Sequence, residues 1–365
     1  MIEIENLSYG TTGFSLKQLS LTVRSGSCHA IIGPTGCGKT TLLETIIGLR
    51  TARTGKILVD CKDVTRLPVH ERGFSYVPQD LALFPHLTVE ENILYGLRYG
   101  NFSDAPERKR HVLDLANSLN ISHLLKRTPR ALSGGEKQRV ALVRALAPNR
   151  GYLILDEPFS ALHEGMKKEL WFLLKQLQQQ YQLTIFMISH DMEETFFLAD
   201  DISVMIDGAI QQTGTKEQIY NAPSTEKVAD FFGINNLFDA EIRDVNDEMT
   251  TLYCPELSVS LTAPSYKFAA VKQGMSLKAG IRSEQIMIIK SPHENHGRNN
   301  IIRGQLVEIF KKGAYDMLLF KPVNAVKTIE IDISNYASQK SRLEKGQEVY
   351  IVLEPERFFW VSSYR

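Results

Sequence analysis

Gly33-Pro34-Thr35-Gly36-Cys37-Gly38-Lys39-Thr40 has the spacing of a phosphate-binding loop, GxxxxGK[ST]. Gly36 and Gly38 let the backbone turn its N–H groups inward at a helix amino end, which makes a concave anion site. Lys39 reaches the outer phosphates as a point charge, and the Thr40 hydroxyl can ligate Mg2+. Cys37 reads as a small spacer. Such a loop serves kinases, GTPases and ATPases alike. A second group, Asp156-Glu157, ends the apolar run Tyr152-Leu153-Ile154-Leu155. Asp156 there is placed to act on Mg2+ through water, and Glu157 to orient an attacking water as general base. The same pair could also merely cap the next turn. A third group is Leu132-Ser133-Gly134-Gly135-Glu136. Ser133 and Glu136 have capping-box spacing. Two glycines in a first helical turn, however, cost up to ~1 kcal/mol each relative to Ala. They make sense where a phosphate must approach the backbone.

These groups need a scaffold. Short strands are predicted at 2–8 and 19–23, and the run His29-Ala30-Ile31-Ile32 leads into the loop. From Lys39 onward, Leu42, Leu43, Ile46, Ile47 and Leu49 form a helical stripe. Residues 89–125 are mostly helical in pattern, with a polar break around 103–108. A helix spaced through Met166, Leu170, Leu173, Leu174, Leu177 and Tyr181 precedes the apolar strand Leu183-Thr184-Ile185-Phe186-Met187-Ile188. Strands alternating with helices imply right-handed crossovers and a covered parallel sheet. Beyond Gly233 the period becomes two, as in Leu257, Val259 and Leu261 or Ile329, Ile331 and Ile333, so a separate β-rich domain is expected.

The 365 residues exceed a usual single core, and 42 Lys+Arg balance 42 Asp+Glu. That balance argues against a chain built to coat nucleic acid. No apolar run approaches the ~20 residues that cross a bilayer, and the amino terminus lacks a secretory signal pattern. Cys28, Cys37, Cys61 and Cys254 have no CxxC or zinc spacing and read as reduced thiols.

With Gln79 in Tyr76-Val77-Pro78-Gln79-Asp80, Gln138 after the LSGGE segment, and His190 in Ile188-Ser189-His190-Asp191, the sequence resembles the ATP-binding cassette family, the ATPase subunits of ABC transporters. The matching pieces occur in family order over about 9–232. The resemblance implies an α/β phosphate-loop ATPase core at 1–234, with a parallel sheet and a helical insertion at about 89–147. A C-terminal β-barrel domain of the oligonucleotide-binding-barrel type follows at 235–365. It implies two cassettes pairing head to tail, each ATP lying between Gly33 to Thr41 of one copy and Ser133-Gly134-Gly135 of the other. Glu157 would polarise water, and His190 would contact the γ-phosphate. Thr40, Gln79 and Asp156 would serve Mg2+, with Gln79 also sensing the transmembrane partner. Tyr9 would stack on adenine, with Phe14 as its rival. Where the family has Asp after Ser160-Ala161-Leu162, this chain has His163, so ATPase activity is expected to survive with altered cooperativity or pH response.

A kinase or GTPase is disfavoured because no NKxD motif appears. A repair-type cassette would carry long coiled coils, and a translation-type chain usually two phosphate loops. The segment from Ala82 to Val89 resembles the importer segment that receives a permease helix. Ala279-Gly280-Ile281-Arg282-Ser283-Glu284 resembles the GxRPE segment of importer accessory domains, with Ser283 in place of Pro. The stretches 72–79 and 121–125 most resemble molybdate and tungstate import ATPases. Sulfate, ferric iron, polyamine and sugar stay open as cargo. The expected assembly is a homodimer beneath permease subunits, served indirectly by an extracytoplasmic solute-binding protein, without nucleic acid. Its expected place is the cytoplasmic face of the cell membrane, as a peripheral subunit.

Overall fold

The computed structural model describes residues 1–11, 13–97, 105–268, 271–291 and 299–361. Ser103 and Asp104, within the expected polar break, lie outside them. The chain divides into two compact units, Met1–Lys216 and Glu217–Arg365. The helix Lys216–Asn221 begins at that division, and it and Glu226–Phe231 both precede the boundary expected at 234/235.

The first unit runs β1 (Ile2–Thr11), β2 (Phe14–Val23), β3 (Cys28–Ile32), α1 (Lys39–Ile47), β4 (Thr54–Val59), β5 (Lys62–Asp63), β6 (Phe74–Val77), α2 (Val89–Gly96) and α3 (Ala105–Ser118). It continues with α4 (Gly134–Leu146), β7 (Tyr152–Asp156), α5 (Glu164–Tyr181), β8 (Thr184–Ile188), α6 (Met192–Leu198), β9 (Asp201–Ile206) and β10 (Ala209–Thr215). One sheet has the order β10-β9-β3-β8-β7-β6, in which β9, β3, β8, β7 and β6 are parallel and β10 is antiparallel to β9. Every residue of β3 and β8 is buried, which is why both read as unbroken apolar runs. A second, antiparallel sheet has the order β2-β1-β4-β5. Its strands β4 and β5 carried no sequence expectation.

Helix α1 buries Leu42, Leu43, Ile46 and Ile47 against both sheets, in one cluster with Ile4, Leu21, Ile57, Ile154 and Phe186. A cavity left by truncating one of these to Ala would cost ~2–5 kcal/mol. At the far end of α1 the buried Arg72 donates to the carbonyls of Thr45 and Ile46 at 2.9 and 2.8 Å, satisfying acceptors that a helix end leaves open. The expected helical insertion is α2, α3 and α4, carried by the crossover between the neighbouring strands β6 and β7.

In the second unit α7 (Lys216–Asn221), whose first residue closes the first unit, and α8 (Glu226–Phe231) precede two five-stranded antiparallel sheets. The first is β11 (Leu237–Val245), β12 (Met249–Cys254), β13 (Val259–Pro264), β14 (Ser276–Gly280) and later β20 (Phe359–Val361). The second is β15 (Ile286–Ile289), β16 (Ile301–Lys311), β17 (Tyr315–Pro322), β18 (Ile329–Ser334) and β19 (Glu348–Leu353), with α9 (Asn335–Ser341) after β18. The sheets close over one core that holds Phe238, Leu252, Leu261, Phe320, Ile331 and Ile351, giving the barrel-like domain expected from the alternation.

Candidate functional site

Four neighbouring parallel strands deliver the site from their carboxyl ends, where open α/β sheets hold ligands. The phosphate loop follows β3, His190 follows β8, Glu157 follows β7 and Gln79 follows β6. The strands are spatially ordered β3-β8-β7-β6, so four segments far apart in sequence share one rim.

The loop is closely built. Gly33 has φ of 156°, and a Cβ there would stand 1.9 Å from the Met205 carbonyl oxygen. Gly38, at φ 104°, precedes α1 and lies under Phe14, whose ring a Cβ would meet at 2.2 Å. Lys39 is buried, and its Nζ donates to the Gly33 and Pro34 carbonyls at 2.8 and 3.0 Å, holding the ammonium inside the turn. The Cys37 thiol is also buried, and that burial pushes its pKa up. A cleft of ≈ 490 Å³ opens over the loop; Thr35, Gly36, Thr40 and Thr41 line it from α1's side and Gln79, Glu157 and His190 from the opposite rim.

The Thr40 hydroxyl lies 3.5 Å from Asp156 Oδ1 beneath that cleft. Burial pushes the Asp156 carboxyl up to about 6, with the Glu157 and Glu44 charges adding to it and Thr40 and Lys39 offsetting part. A buried carboxyl short of positive charge beside a hydroxyl is a donor set of hard oxygens, suited to Mg2+.

Glu157 is the convergence point. Its backbone sits in the left-handed region at φ 45°, and its N–H donates to the Ile188 carbonyl at 3.0 Å. That turn takes the chain off the sheet while keeping it stitched to β8. Gln79 Nε2 donates to Glu157 Oε2 at 3.2 Å, and His190 Nδ1 lies 3.0 Å from the same oxygen.

Ser133, Gly134 and Gly135 are not brought to this cleft within the chain. They open α4, where Ser133 and Glu136 form both halves of the capping box. A Cβ on Gly135 would meet Met166 at 3.3 Å, so packing restricts that position. Among the described residues, a Cβ on Gly134 would meet only Leu162, at an ordinary 3.5 Å. The fold therefore does not require glycine at exposed Gly134. Tyr9 also stands apart from the cleft lining: its hydroxyl accepts from Arg50 Nη1 at 2.9 Å, and the guanidinium lies 5.5 Å from its ring centre. Phe14 is the aromatic that lines the cleft.

The sequence profile of the ABC transporter family matches residues 16–160. The molybdate/tungstate import ATP-binding protein of Pyrococcus horikoshii is 40% identical over 350 residues, covering 96% of each chain. The chain belongs to the ATP-binding subunits of ABC importers. Its activity is ATP hydrolysis coupled to transport. The spermidine/putrescine import ATP-binding protein of Thermotoga maritima is 35% identical over 363 residues, covering 99% of this chain and 98% of the relative. A dimeric ATP-binding cassette in a post-hydrolysis state, bound to ADP and Pi, superposes with a TM-score of 0.53 at 27% identity. It covers 59% of the importer subunit and 98% of the cassette. No helix among the described residues is long and apolar enough to cross a membrane.

The importer subunit shows two further features: one takes in Ala82 and Phe84 of the segment that resembles an importer's permease-receiving stretch, and the other had no sequence signal. The first is an apolar groove of ≈ 450 Å³ lined by Phe74, Tyr76, Pro78, Ala82, Phe84 and Tyr95, among others. Arg144 holds its wall by donating to the Leu81 carbonyl at 2.6 Å, and the Phe84 and Tyr95 rings pack at a tilt of 57° with centres 4.6 Å apart. The second is Glu194 on α6, 2% exposed, whose Oε1 has no hydrogen-bond partner among the described residues. Burial pushes its carboxyl from 4.5 up to about 8, with the Asp191 charge adding and Ser189 and Lys167 opposing. The folded chain thus holds this proton more tightly than the unfolded chain, and its stability falls as pH rises from about 4.5 through about 8. Glu194→Gln, uncharged at every pH, is expected to raise the melting temperature by at least ~2 °C at pH 8.5 and hardly at all at pH 4.5. Thermal melts at both pH values check this; an equal shift at each would remove the titration as the cause.

Proposed function

We propose that the subunit powers uptake of an oxyanion of the molybdate/tungstate class, working as a homodimer beneath permease subunits. The observation that carries the catalytic part is the meeting of Gln79 and His190 on one oxygen of Glu157 above the Lys39 loop. In this reading the loop N–H groups and Lys39 bind the triphosphate. Phe14 offers the base an aromatic face, in preference to Tyr9. Glu157 accepts the proton of the attacking water through the carboxylate that Gln79 and His190 orient. Thr40, Asp156 and Gln79 would hold Mg2+, which when bound would neutralise charge on the phosphates. Ser133, Gly134 and Gly135 act on the nucleotide of the partner copy, through a helix amino end that favours anions.

The groove at Phe84 and Tyr95 suits an apolar helix end from a permease, because an exposed concave apolar surface marks a docking site. The cargo assignment rests on the 40% identity to the P. horikoshii relative along nearly the whole of both chains. A solute-binding protein outside the membrane would deliver that cargo.

The decisive experiment reconstitutes the subunit with its permease and measures ATP turnover against cargo. Molybdate or tungstate presented with the binding protein is expected to raise turnover, whereas spermidine is not. Stimulation by a polyamine alone would overturn the oxyanion assignment and favour the reading supported by the T. maritima relative.

A further inference from the structure

The first turn of α5 is wedged between two functional segments. On one side Leu162, just before the helix, stands against Gly134, and Met166 within the turn stands against Gly135. On the other, Lys167 Nζ donates to Asp191 Oδ2 at 2.8 Å and to Glu164 Oε1 at 2.7 Å. Met166 and Lys167 are neighbours about 100° apart around a helix, so one turn can touch both sides. Asp191 follows His190 directly and caps α6 through its other oxygen, which accepts from the Glu194 N–H at 3.2 Å. The same turn is tied to the base by a short run of chain: the Ser160 hydroxyl donates to the Glu157 carbonyl at 3.0 Å, and the Met166 N–H to the His163 carbonyl at 2.9 Å.

The ion pair is sheltered. The Lys167 side chain is 12% exposed and that of Asp191 21%, so solvent screens it less than a surface pair. Hydrogen bonds to Asp191 and then Glu164 raise the Lys167 ammonium above its ordinary range. Burial alone would raise the Asp191 carboxyl, but Lys167 and the N–H groups of the α6 turn hold it below its usual value. The cap at α6 needs only an oxygen, and the α5 turn has its own backbone bonds. An ammonium bridging the two is a direct mechanical link between them.

We propose that Lys167, through Asp191, is a positioning residue that couples the serine–diglycine turn to His190 of the same chain. Because that turn serves the partner's nucleotide in the reading above, on which this rests, the pair links the two composite sites of the dimer. Nucleotide engaging Gly134 loads the first turn of α5. The turn bears on Lys167, and through Asp191 that load steadies His190 where it already meets Glu157. In this chain His163 occupies the turn where the resembling family has a carboxylate, and its side chain makes no cap hydrogen bond. The Lys167–Asp191 link does not pass through that side chain.

The test uses the full chain with Mg-ATP and compares Lys167→Met, Lys167→Arg and Asp191→Asn with the parent. Asn still caps a helix, so Asp191→Asn removes the charge pair without removing the cap. Lys167→Met and Asp191→Asn are each expected to lower kcat roughly tenfold, with the KM for ATP held within about twofold and a flatter dependence on ATP concentration. Lys167→Arg is expected to restore most of the rate. The double change Lys167→Met with Asp191→Asn is expected to cost no more than either alone. Asp191→Asn carries the test if Lys167→Met fails to fold. Parental kcat and cooperativity in folded Lys167→Met or Asp191→Asn, while Glu157→Gln is stalled, would overturn the proposal alone. Normal turnover by Glu157→Gln would instead remove the base assignment beneath it.

Discussion

Glu157→Gln is expected to cut ATP turnover by ~10²–10⁴-fold while leaving nucleotide binding within a few-fold of the parent. Gln keeps the length of the side chain and an oxygen for Gln79 and His190, which approach Glu157 Oε2 at 3.2 and 3.0 Å. It loses the ability to take a proton from water. The nucleotide-binding parts, Lys39 and the loop N–H groups, are untouched, so the variant should accumulate as a closed, ATP-loaded dimer. Lys39→Ala should behave oppositely, because it removes the ammonium that the loop holds at 2.8 Å from the Gly33 carbonyl. Its failure should appear at the binding step. Single-turnover hydrolysis and nucleotide titration separate the two variants. Normal turnover by Glu157→Gln would contradict its role as the base.

Gly134→Asp is expected to cost ~10³-fold in turnover, comparable to losing a charge-stabilising group supplied across an interface. The change is informative because, among the described residues, a Cβ at Gly134 meets only Leu162, at 3.5 Å, so the chain should still fold. Gly134 is also absent from the lining of the Lys39 cleft, so monomeric binding of ATP should be unchanged. The loss should therefore appear only in the assembled dimer, where a carboxylate would face the partner's triphosphate at a helix amino end. Melting temperature, nucleotide affinity at low protein concentration and turnover at high concentration test the three parts. Turnover at the parental rate in the dimer would mean that the turn does not touch nucleotide. A matching loss of monomer binding would place Gly134 in its own chain's site.

Much of this was legible in the sequence because the chemistry is local. A phosphate loop is eight consecutive residues, whose glycines act through backbone N–H groups and whose lysine acts through its ammonium. The capping box of Ser133 and Glu136 spans one helical turn and formed as the spacing predicts. Buried strands such as β3 and β8 announce themselves as apolar runs because both faces are covered. The alternation at Ile329 and Ile331 likewise marked a strand with one buried face. Less legible were β4 and β5, short and partly exposed in an antiparallel sheet, where the apolar signal is diluted by Lys56 and Lys62.

Sequence alone determined which residues could bind a phosphate, accept a proton and close a helix end, because those capacities belong to side-chain types and spacings within a few residues. Tertiary structure alone decided which of them meet. The late strand β8 inserts between β3 and β7, and only that insertion sets His190 beside Glu157 and both beside the Lys39 loop. It also chose Phe14 over Tyr9 as the ring lining the cleft, buried Glu194 without a full set of partners among the described residues, and set Lys167 against Asp191. Strand order and helix packing follow from covering apolar faces across the whole sheet, a many-residue balance that no short stretch of sequence records.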